Sequence, residues 1–435
     1  MADGDAFVWG ENTCQVLGLT TKAQSRKRPF PVALLNKEHP SGYTRLLPKC
    51  QIVVAGGLHS VAVSVEGDIY TWGTHEEGQL GRNVPKGDDE APAVPGKVTL
   101  PAECKGAEVI NAEATDSATF ALFDDGSVFG CGVFKDDRDG ELGFSPGNPG
   151  RQHGMAPVAG PRAPSHTAPI ESMAAGNGHI VLLTSRFGGD GKAAAKPKVL
   201  TRGAGAQGQL GRVGTRIGPR AHSRTMLAPA AVRMPRGAGQ PVAVFAGGFH
   251  TFVLTDLDKV VAFGLNNYGQ LGLPPDDSMV FIPKIVPSLS GEGIVELACG
   301  EHHTVALTRS GHVLTFGRYA YGRLGRRTEE EMVDGDAADP TPRRVTFPAG
   351  AASVSSVAAG STTSGAIDER GVLYMWGCGE GHMLGRGDDE DDVFAPEAVP
   401  VKEGYKHWQG QRVESCSISA QHVMIRATPG HDGAR

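Results

Sequence analysis

The chain has 435 residues, a formal net charge of −6, 40% hydrophobic residues and 21% charged residues. This balance can bury a core and excludes a chain that is disordered throughout. Its 61 glycines are about twice the usual 7% share, and the lack of a Gly-X-Y period excludes collagen. Together with 29 prolines they indicate many tight turns and predict an all-β fold.

The seven cysteines are scattered and never form Cys-x-x-Cys. A disulfide framework or a zinc site is therefore not expected, and a reducing compartment fits. No apolar stretch approaches the roughly 18 residues of a membrane span, and the first residues do not resemble a signal peptide. We expect an intracellular, soluble monomer without a membrane partner.

Three sequence marks recur along the chain in a fixed order. A histidine strand comes first, as at His59, and an apolar run ending in glycine follows, as at Ile69–Gly73. A Leu-Gly dipeptide closes each unit, at steps of 53 to 68 residues. The Leu-Gly marks begin at residues 17, 80, 142, 210, 271, 324 and 384. Seven copies of one unit indicate a repeat architecture.

Each unit of about 60 residues has the pattern of a propeller blade. The apolar strand from His59 is followed by a turn at Glu66 and Gly67 and by a return strand, which together predict a hairpin. The chain begins with an apolar-Gly strand at residues 7–10 and ends with a histidine strand at residues 421–425. Joined, these two make one blade and remove the open edges of a linear array.

We therefore predict one all-β domain over residues 1–435, a seven-bladed β-propeller whose ring is closed by both termini. Loop insertions are expected at about residues 134–140, 186–198, 212–240 and 327–344.

The third repeat departs from the common spacing. From the glycine of the apolar run to the glycine of Leu-Gly the distance is 8 residues in six repeats, but 11 from Gly132 to Gly143. The extra residues fall in a segment with charges of both signs. This segment comprises Phe134, Lys135, Asp136, Asp137, Arg138 and Asp139. From the residues alone it could be a neutral surface insertion or a contact element.

The sequence resembles the regulator of chromosome condensation family in four features. These are the repeats, the segment at residues 133–143, the motif Gly-Arg-Tyr-Ala-Tyr-Gly-Arg-Leu-Gly at residues 317–325 and the acidic run at residues 388–391. That family comprises seven-bladed guanine nucleotide exchange factors for the Ran GTPase. The resemblance implies exchange without covalent chemistry, a Ran-type small GTPase as partner, and no cofactor or metal. It also implies a nuclear location, with the cytoplasm as the alternative because the sequence has no clear import signal.

The resemblance also assigns roles to single residues. The segment at residues 134–139 matches the family's β-wedge, which pushes into the GTPase near its phosphate and Mg²⁺ site. The rim positions that match the family's GTPase contacts are Asp116, His302, His422 and Gly178, where the family has aspartate. Beside Gly178, Asn177 could supply the polar contact instead. The histidine repeated on the blades is expected to be structural, bonding the backbone of its own or the next blade.

A basic segment stands apart from the rest of the chain. Residues 191–255 hold ten Lys and Arg and no Asp or Glu. The resemblance implies that Arg212, Arg216, Arg220 and Arg224 dock on the acidic patch of histones. A solvated basic loop is the alternative.

Other functions are less consistent with the residues. No nucleotide-binding Gly-x-Gly-Lys-Ser/Thr loop, Ser-His-Asp ordering or isolated carboxylate pair stands out from the repeat. The main alternative is a non-catalytic interaction propeller, as in a scaffold or a ubiquitin-pathway adaptor.

Overall fold

The computed structural model describes residues 4–19, 24–35, 43–88, 90–136, 140–164, 168–186, 196–212, 225–275, 278–326, 337–400 and 410–430. Within these ranges the chain forms seven four-stranded antiparallel sheets, arranged as the blades of a propeller. The predicted fold class is confirmed. The helical segments of the described ranges are short: Ala102–Cys104, Ala320–Gly322, Glu380–His382 and one turn at residues 225–227. None of the helices found there is long and apolar enough to span a membrane.

Each blade runs from an innermost strand at the central channel to an outer edge strand. The innermost strands are β5 (Cys50–Ala55), β9 (Val109–Ala114), β15 (Ile170–Ala175), β19 (Pro241–Ala246), β23 (Ile294–Cys299), β27 (Val354–Ala359) and β31 (Gln411–Ile418). The second strands are β6 (His59–Ser64), β10 (Ala118–Phe123), β16 (His179–Thr184), β20 (His250–Thr255), β24 (His303–Thr308), β28 (Thr363–Asp368) and β32 (His422–Pro429).

The remaining strands complete the blades from the outside. The third strands are β7 (Ile69–Gly73), β11 (Val128–Gly132), β17 (Val199–Gly203), β21 (Val260–Leu265), β25 (Val313–Arg318), β29 (Leu373–Gly377) and β1 (Asp5–Glu11). The outer strands are β8 (Gly96–Lys97), β14 (Gln152–Ala159), β18 (Ala230–Ala231), β22 (Met279–Ile285), β26 (Ala338–Arg344), β30 (Val393–Ala398) and β2 (Ser25–Pro31). Strands β18 and β26 lie inside two of the ranges in which loop insertions are expected, 212–240 and 327–344.

Two further pairs of strands lie outside the blades. β3 (Ala33–Leu35) pairs with β4 (Tyr43–Leu46), and β12 (Phe134–Asp136) pairs with β13 (Gly140–Gly143).

The ring is closed by the two ends of the chain, as predicted. β1 lies between β2 and β32, with Phe7 opposite Ile425 in an antiparallel register. Trp9 on β1 is fully buried, and its indole N–H donates to the carbonyl of Met383 in the preceding blade at 2.9 Å. The first strand therefore joins the last blade to its neighbour as well as to the C-terminal strand.

The glycine marks are explained by close approaches between strands. Gly73 has φ +112°, and a Cβ there would lie 2.8 Å from the Cα of His59, so the position excludes a side chain. The glycine of five of the seven Leu-Gly marks faces an aromatic residue of the next blade, as Gly325 faces the Trp376 indole. These contacts tie two of the three sequence marks into one interface between neighbouring blades.

Candidate functional site

The third repeat carries a separate hairpin, formed by β12 and β13. Lys135 lies opposite Glu141, and Asp136 lies opposite Gly140. We call residues 134–143 the wedge. Three of its predicted contact residues, Asp137, Arg138 and Asp139, lie outside the described residues.

The root of the wedge is an aromatic cluster with a buried arginine. Phe134 is fully buried and stacks on Phe120 and Phe144, with ring centroids 5.7 and 6.4 Å apart. The Arg202 guanidinium lies 5.1 Å from the Phe134 centroid and 5.4 Å from that of Phe144, and donates to the Phe144 carbonyl. Burial lowers the pKa of Arg202 to about 9, so this side chain is still a cation at neutral pH. Packing and cation–π contacts therefore hold the wedge firmly at its base.

Arg202 is not among the residues predicted to belong to the site. The signal was present, because Arg202 takes the position before the glycine where most repeats have an aromatic residue, such as Trp72 or Phe263. The wedge, which breaks the repeat spacing in one blade, therefore contacts Arg202, which replaces the usual aromatic residue in the next blade.

The wedge and two of the predicted rim residues surround one groove of about 460 Å³. Asp116, Asn177, Lys135 and Asp136 all line it. Asp136 is nearly buried and accepts a hydrogen bond from the Ala206 N–H at 3.3 Å. The rim loops are also joined to each other, since the Asp116 N–H donates to the Asn177 carbonyl at 2.9 Å. The structure thus brings together residues that are more than 60 positions apart in the sequence.

Gly178 lies where the family pattern has an aspartate, and the wedge occupies the space beside it. A Cβ at Gly178 would lie 2.7 Å from the Lys135 carbonyl oxygen. A side chain there requires the wedge strand to shift. The neighbouring Asn177 donates from its side-chain amide to Glu301 at 3.4 Å, which holds it at the rim.

His302 lies on the rim at the next blade but one, within an aromatic cluster. Its ring centroid is 6.4 Å from that of Phe249 and 5.1 Å from that of Tyr268. Burial is the main cause that lowers the pKa of His302, with a further contribution from Arg323, so the ring is neutral at physiological pH. The cluster is a half-buried aromatic surface next to the groove.

Arg318, which contacts this surface, and Tyr321, three residues further on, were not predicted as site residues. The Arg318 guanidinium lies 4.8 Å from the Tyr268 ring centroid, and Tyr321 is 49% exposed with φ +65°. A bulky residue in the left-handed region is rare and marks a strained position. Both residues are in the motif at residues 317–325 that carried the family resemblance, so a signal existed.

The prediction of His422 as a rim contact is not supported by its geometry. The His422 side chain is fully buried, and its Nε2 lies 2.8 Å from the Ser60 hydroxyl of the neighbouring blade. Its Nδ1 lies 2.9 Å from the Ser419 hydroxyl. The ring is therefore part of the propeller's interior.

His422 is one of five histidines that form a belt between blades. In each case Nε2 meets a hydroxyl on the second strand of the next blade. The pairs are His59 with Thr119 at 2.7 Å, His179 with Thr251 at 3.0 Å, His250 with Thr304 at 3.2 Å, His303 with Ser364 at 2.8 Å, and His422 with Ser60 at 2.8 Å. The expected structural role is right, but the partner is a hydroxyl rather than the backbone.

In two blades the belt histidine is absent, and these two blades show that the histidine and its hydroxyl partner occur together. The hydroxyl of Thr119 donates to the Gln79 carbonyl at 2.7 Å, so the histidine Nε2–H is the donor to the hydroxyl oxygen. Where the histidine is replaced by Ala118 or Thr363, the hydroxyl position of the next blade holds Ile180 or Val423. Donor and acceptor are thus present together or absent together.

The belt predicts an acid-sensitive stability. Burial lowers the pKa of His59 to about 4 and those of His179, His250 and His422 to about 3, against about 6.5 in an unfolded chain. Below pH 6.5 the unfolded chain binds protons that the folded belt excludes, so stability is lost as the pH falls. Changing His59 to Ala with Thr119 to Ile, which copies the Ala118–Ile180 junction, should reduce the pH slope of the unfolding free energy by about 1.2 kcal/mol per unit between pH 6 and 5. Denaturant unfolding at several pH values measures this, and an unchanged slope contradicts it.

Arg212 does not act as a free cation of the basic segment. Its guanidinium donates to the carbonyls of Thr201, Met226 and Ala228 at 2.9, 3.1 and 3.2 Å, and burial lowers its pKa to about 10. Arg82 makes the same kind of contacts after the Leu-Gly of another blade. Arg212 is thus a repeated structural arginine, and its assignment to partner binding stays a prediction. Arg216, Arg220 and Arg224 lie outside the described residues.

The described residues contain no group of three or more His, Cys, Asp or Glu side chains arranged to hold a metal ion. The central channel holds a cavity of about 280 Å³, and its wall consists of the innermost strands and the rim loops. Glu113 lies in this wall, and burial raises its pKa to about 8.

Comparison with known proteins gives consistent results along the whole chain. The RCC1-like domain matches residues 5–425. Regulator of chromosome condensation from Xenopus laevis is 32% identical over 433 residues, covering 97% of this chain and 89% of that protein. Guanine nucleotide exchange factor SRM1 from Saccharomyces cerevisiae is 28% identical over 429 residues, covering 91% and 82%. The crystal structure of Prp20p from Saccharomyces cerevisiae, described with its binding properties to Gsp1p and histones, has a TM-score of 0.82 at 26% identity and covers 99% of this chain and 93% of that one.

Proposed function

The chain belongs to the RCC1-like domain family, and we propose that it is a guanine nucleotide exchange factor for a Ran-type small GTPase. The names of the relatives support this function. The observation that carries it is the wedge, a charged hairpin on a rigid aromatic root beside a groove lined by Asp116 and Asn177. Exchange makes and breaks no covalent bond, so it needs no cofactor and no catalytic group in the covalent sense.

The proposed mechanism divides the work between the wedge and the rim. The wedge, with Lys135 and the charged residues of its tip, competes for backbone and phosphate-site contacts that hold the nucleotide. Asp116, Asn177 and His302 hold the GTPase on the rim, together with the aromatic surface at Tyr268. Each tenfold acceleration of release requires about 1.4 kcal/mol of preferential stabilisation of the opened transition state.

A linkage experiment separates exchange from plain binding. If the protein weakens nucleotide binding, nucleotide must weaken the complex by the same factor. We expect a stable complex with nucleotide-free Ran on size-exclusion chromatography, and dissociation of that complex by excess GDP or GTP. A scaffold or adaptor propeller would bind Ran equally well with and without nucleotide, and that result would overturn the proposal.

Histone docking and a nuclear location are part of the same proposal. The basic segment at residues 191–255, with no acidic residue, supports contact with an acidic protein surface. Changing Arg216, Arg220 and Arg224 to Ala should weaken nucleosome binding about tenfold and flatten its salt dependence, because three cationic side chains are removed. Release of GDP from Ran should be unchanged, which makes it the internal control. Equal nucleosome affinity of variant and parent, in a titration at two salt concentrations, would leave the segment as a solvated loop.

A further inference from the structure

A single carboxylate of the neighbouring blade lies beneath the wedge. Glu77 belongs to the loop that follows β7, and its Oε1 lies 2.6 Å from the Nζ of Lys135 on the wedge strand β12. Its Oε2 lies 2.9 Å from the Nε of Arg151. The Glu77 side chain is only 12% exposed, so solvent screens these ion pairs less than it screens pairs at an open surface.

Arg151 extends the network to the second strand of the wedge. Its Nη2 lies 3.2 Å from the Oε2 of Glu141 on β13, and its Nη1 donates to the Glu76 carbonyl at 2.9 Å. Lys135 and Glu141 are partners in the register of the hairpin. One carboxylate thus reaches both strands of the wedge, directly through Lys135 and indirectly through Arg151.

Glu77 is itself fixed to the rigid part of the propeller. Its backbone N–H donates to the Oε1 of Gln79 at 2.9 Å, and Gln79 is fully buried. The Gln79 carbonyl accepts the Thr119 hydroxyl, which is a member of the histidine belt. The anchor of the wedge is therefore connected to the buried hydrogen bonds between blades.

We propose that Glu77 is a positioning residue that holds the wedge in one orientation toward its partner. This inference rests on the proposed exchange function. The root at Phe134 fixes where the wedge begins, and the Glu77 network fixes the direction in which it points. The Lys135 and Arg151 side chains are 47% and 40% exposed, so their ion pairs with Glu77 contribute little to stability. A small misplacement of a reacting element, by contrast, can cost about a hundredfold in rate. Glu77 accordingly acts on the wedge through its ion pairs with Lys135 and Arg151.

The test compares Glu77→Gln with Glu66→Gln, a matched change at an exposed turn of the same blade. In Glu77→Gln we expect the maximal rate of GDP release from Ran to fall about tenfold, with the half-saturating concentration and the melting temperature unchanged. Glu66→Gln should match the parent. Since Glu77 acts through Arg151, adding Arg151→Met to Glu77→Gln should lower the rate no further than the larger of the two single effects.

A second readout does not depend on exchange activity. Hydrogen exchange of the amides in residues 134–143, followed by mass spectrometry, should be faster in Glu77→Gln than in the parent. Unchanged protection and an unchanged maximal rate would overturn the positioning role. A change confined to the half-saturating concentration would also overturn it, because Glu77 would then contact the GTPase directly. If the parent protein itself fails to accelerate release, the exchange function fails, and the hydrogen-exchange result still decides whether Glu77 orders the wedge.

Discussion

Replacing residues 135–139 with Asn-Gly should slow the Ran-GDP release reaction about a thousandfold relative to the parent protein. This factor corresponds to about 4 kcal/mol of transition-state stabilisation supplied by the wedge. The replacement restores the common spacing of 8 residues between the two repeat glycines and suits a tight hairpin. It removes the five charged residues at 135–139 and leaves Glu141 and the buried Phe134 and Phe144 in place.

The fold should survive this change. The replacement removes the ion pair between Lys135 and Glu77 and the hydrogen bond from Ala206 to Asp136, which together contribute about 1–2 kcal/mol. Circular dichroism and thermal unfolding provide the control. A folded variant that releases GDP as fast as the parent would mean that the insertion is an ordinary loop and that any exchange activity resides on the rim.

Deleting residues 1–10 should prevent the protein from folding as a monomer. β1 supplies the third strand of the closing blade, where Phe7, Val8 and Trp9 are 2%, 0% and 0% exposed. Burying each such side chain stabilises the fold by roughly 1.5–3 kcal/mol, and the total approaches the 5–15 kcal/mol stability of a typical domain. The deletion also leaves the long strand β32 as an open edge, which favours aggregation.

Deletion of residues 1–3 alone is the matched control, because it leaves β1 whole. Size-exclusion chromatography and thermal unfolding of both truncations measure the effect. A monomeric protein that lacks residues 1–10 and melts at the parent's temperature would contradict the closure of the ring by the first strand.

The repeat marks were sufficient to predict the architecture because they record contacts that every blade must make. Gly73 must approach the backbone of His59, and Gly325 must receive the Trp376 indole of the next blade. Such steric requirements recur at fixed spacing, so the number of blades and the split blade at the termini could be read from the sequence. The position of the wedge followed from the one spacing that differs.

The sequence does not show which residues of neighbouring blades are in contact. The belt partner of His59 is Thr119, 60 positions away, and only the stacking of blades makes them neighbours. Arg212 had the charge expected of a docking residue, yet the carbonyls around it show that it supports its own blade. The structural role of Arg212 could be inferred by comparing repeats of the chain, since Arg82 follows Leu-Gly in the same way.

His422 illustrates the same limit. Its position in the family pattern suggested a contact at the rim, but its ring bonds Ser60 and Ser419 inside the propeller. A buried residue can shape the surface above it, but the sequence does not show how deeply the His422 side chain is buried. Asp116, Asn177 and the wedge, by contrast, line one groove, and their contact with the GTPase stays a prediction.

The central claim is that this propeller accelerates nucleotide release from a Ran-type GTPase. The most direct measurement follows fluorescent GDP leaving purified Ran in excess unlabelled nucleotide, with the protein present at about one-hundredth of the Ran concentration. We expect release to be complete and strongly accelerated, because each molecule of the exchange factor acts on many molecules of Ran. Release at the intrinsic rate of Ran, in the presence of a folded and monomeric preparation of the protein, would contradict it.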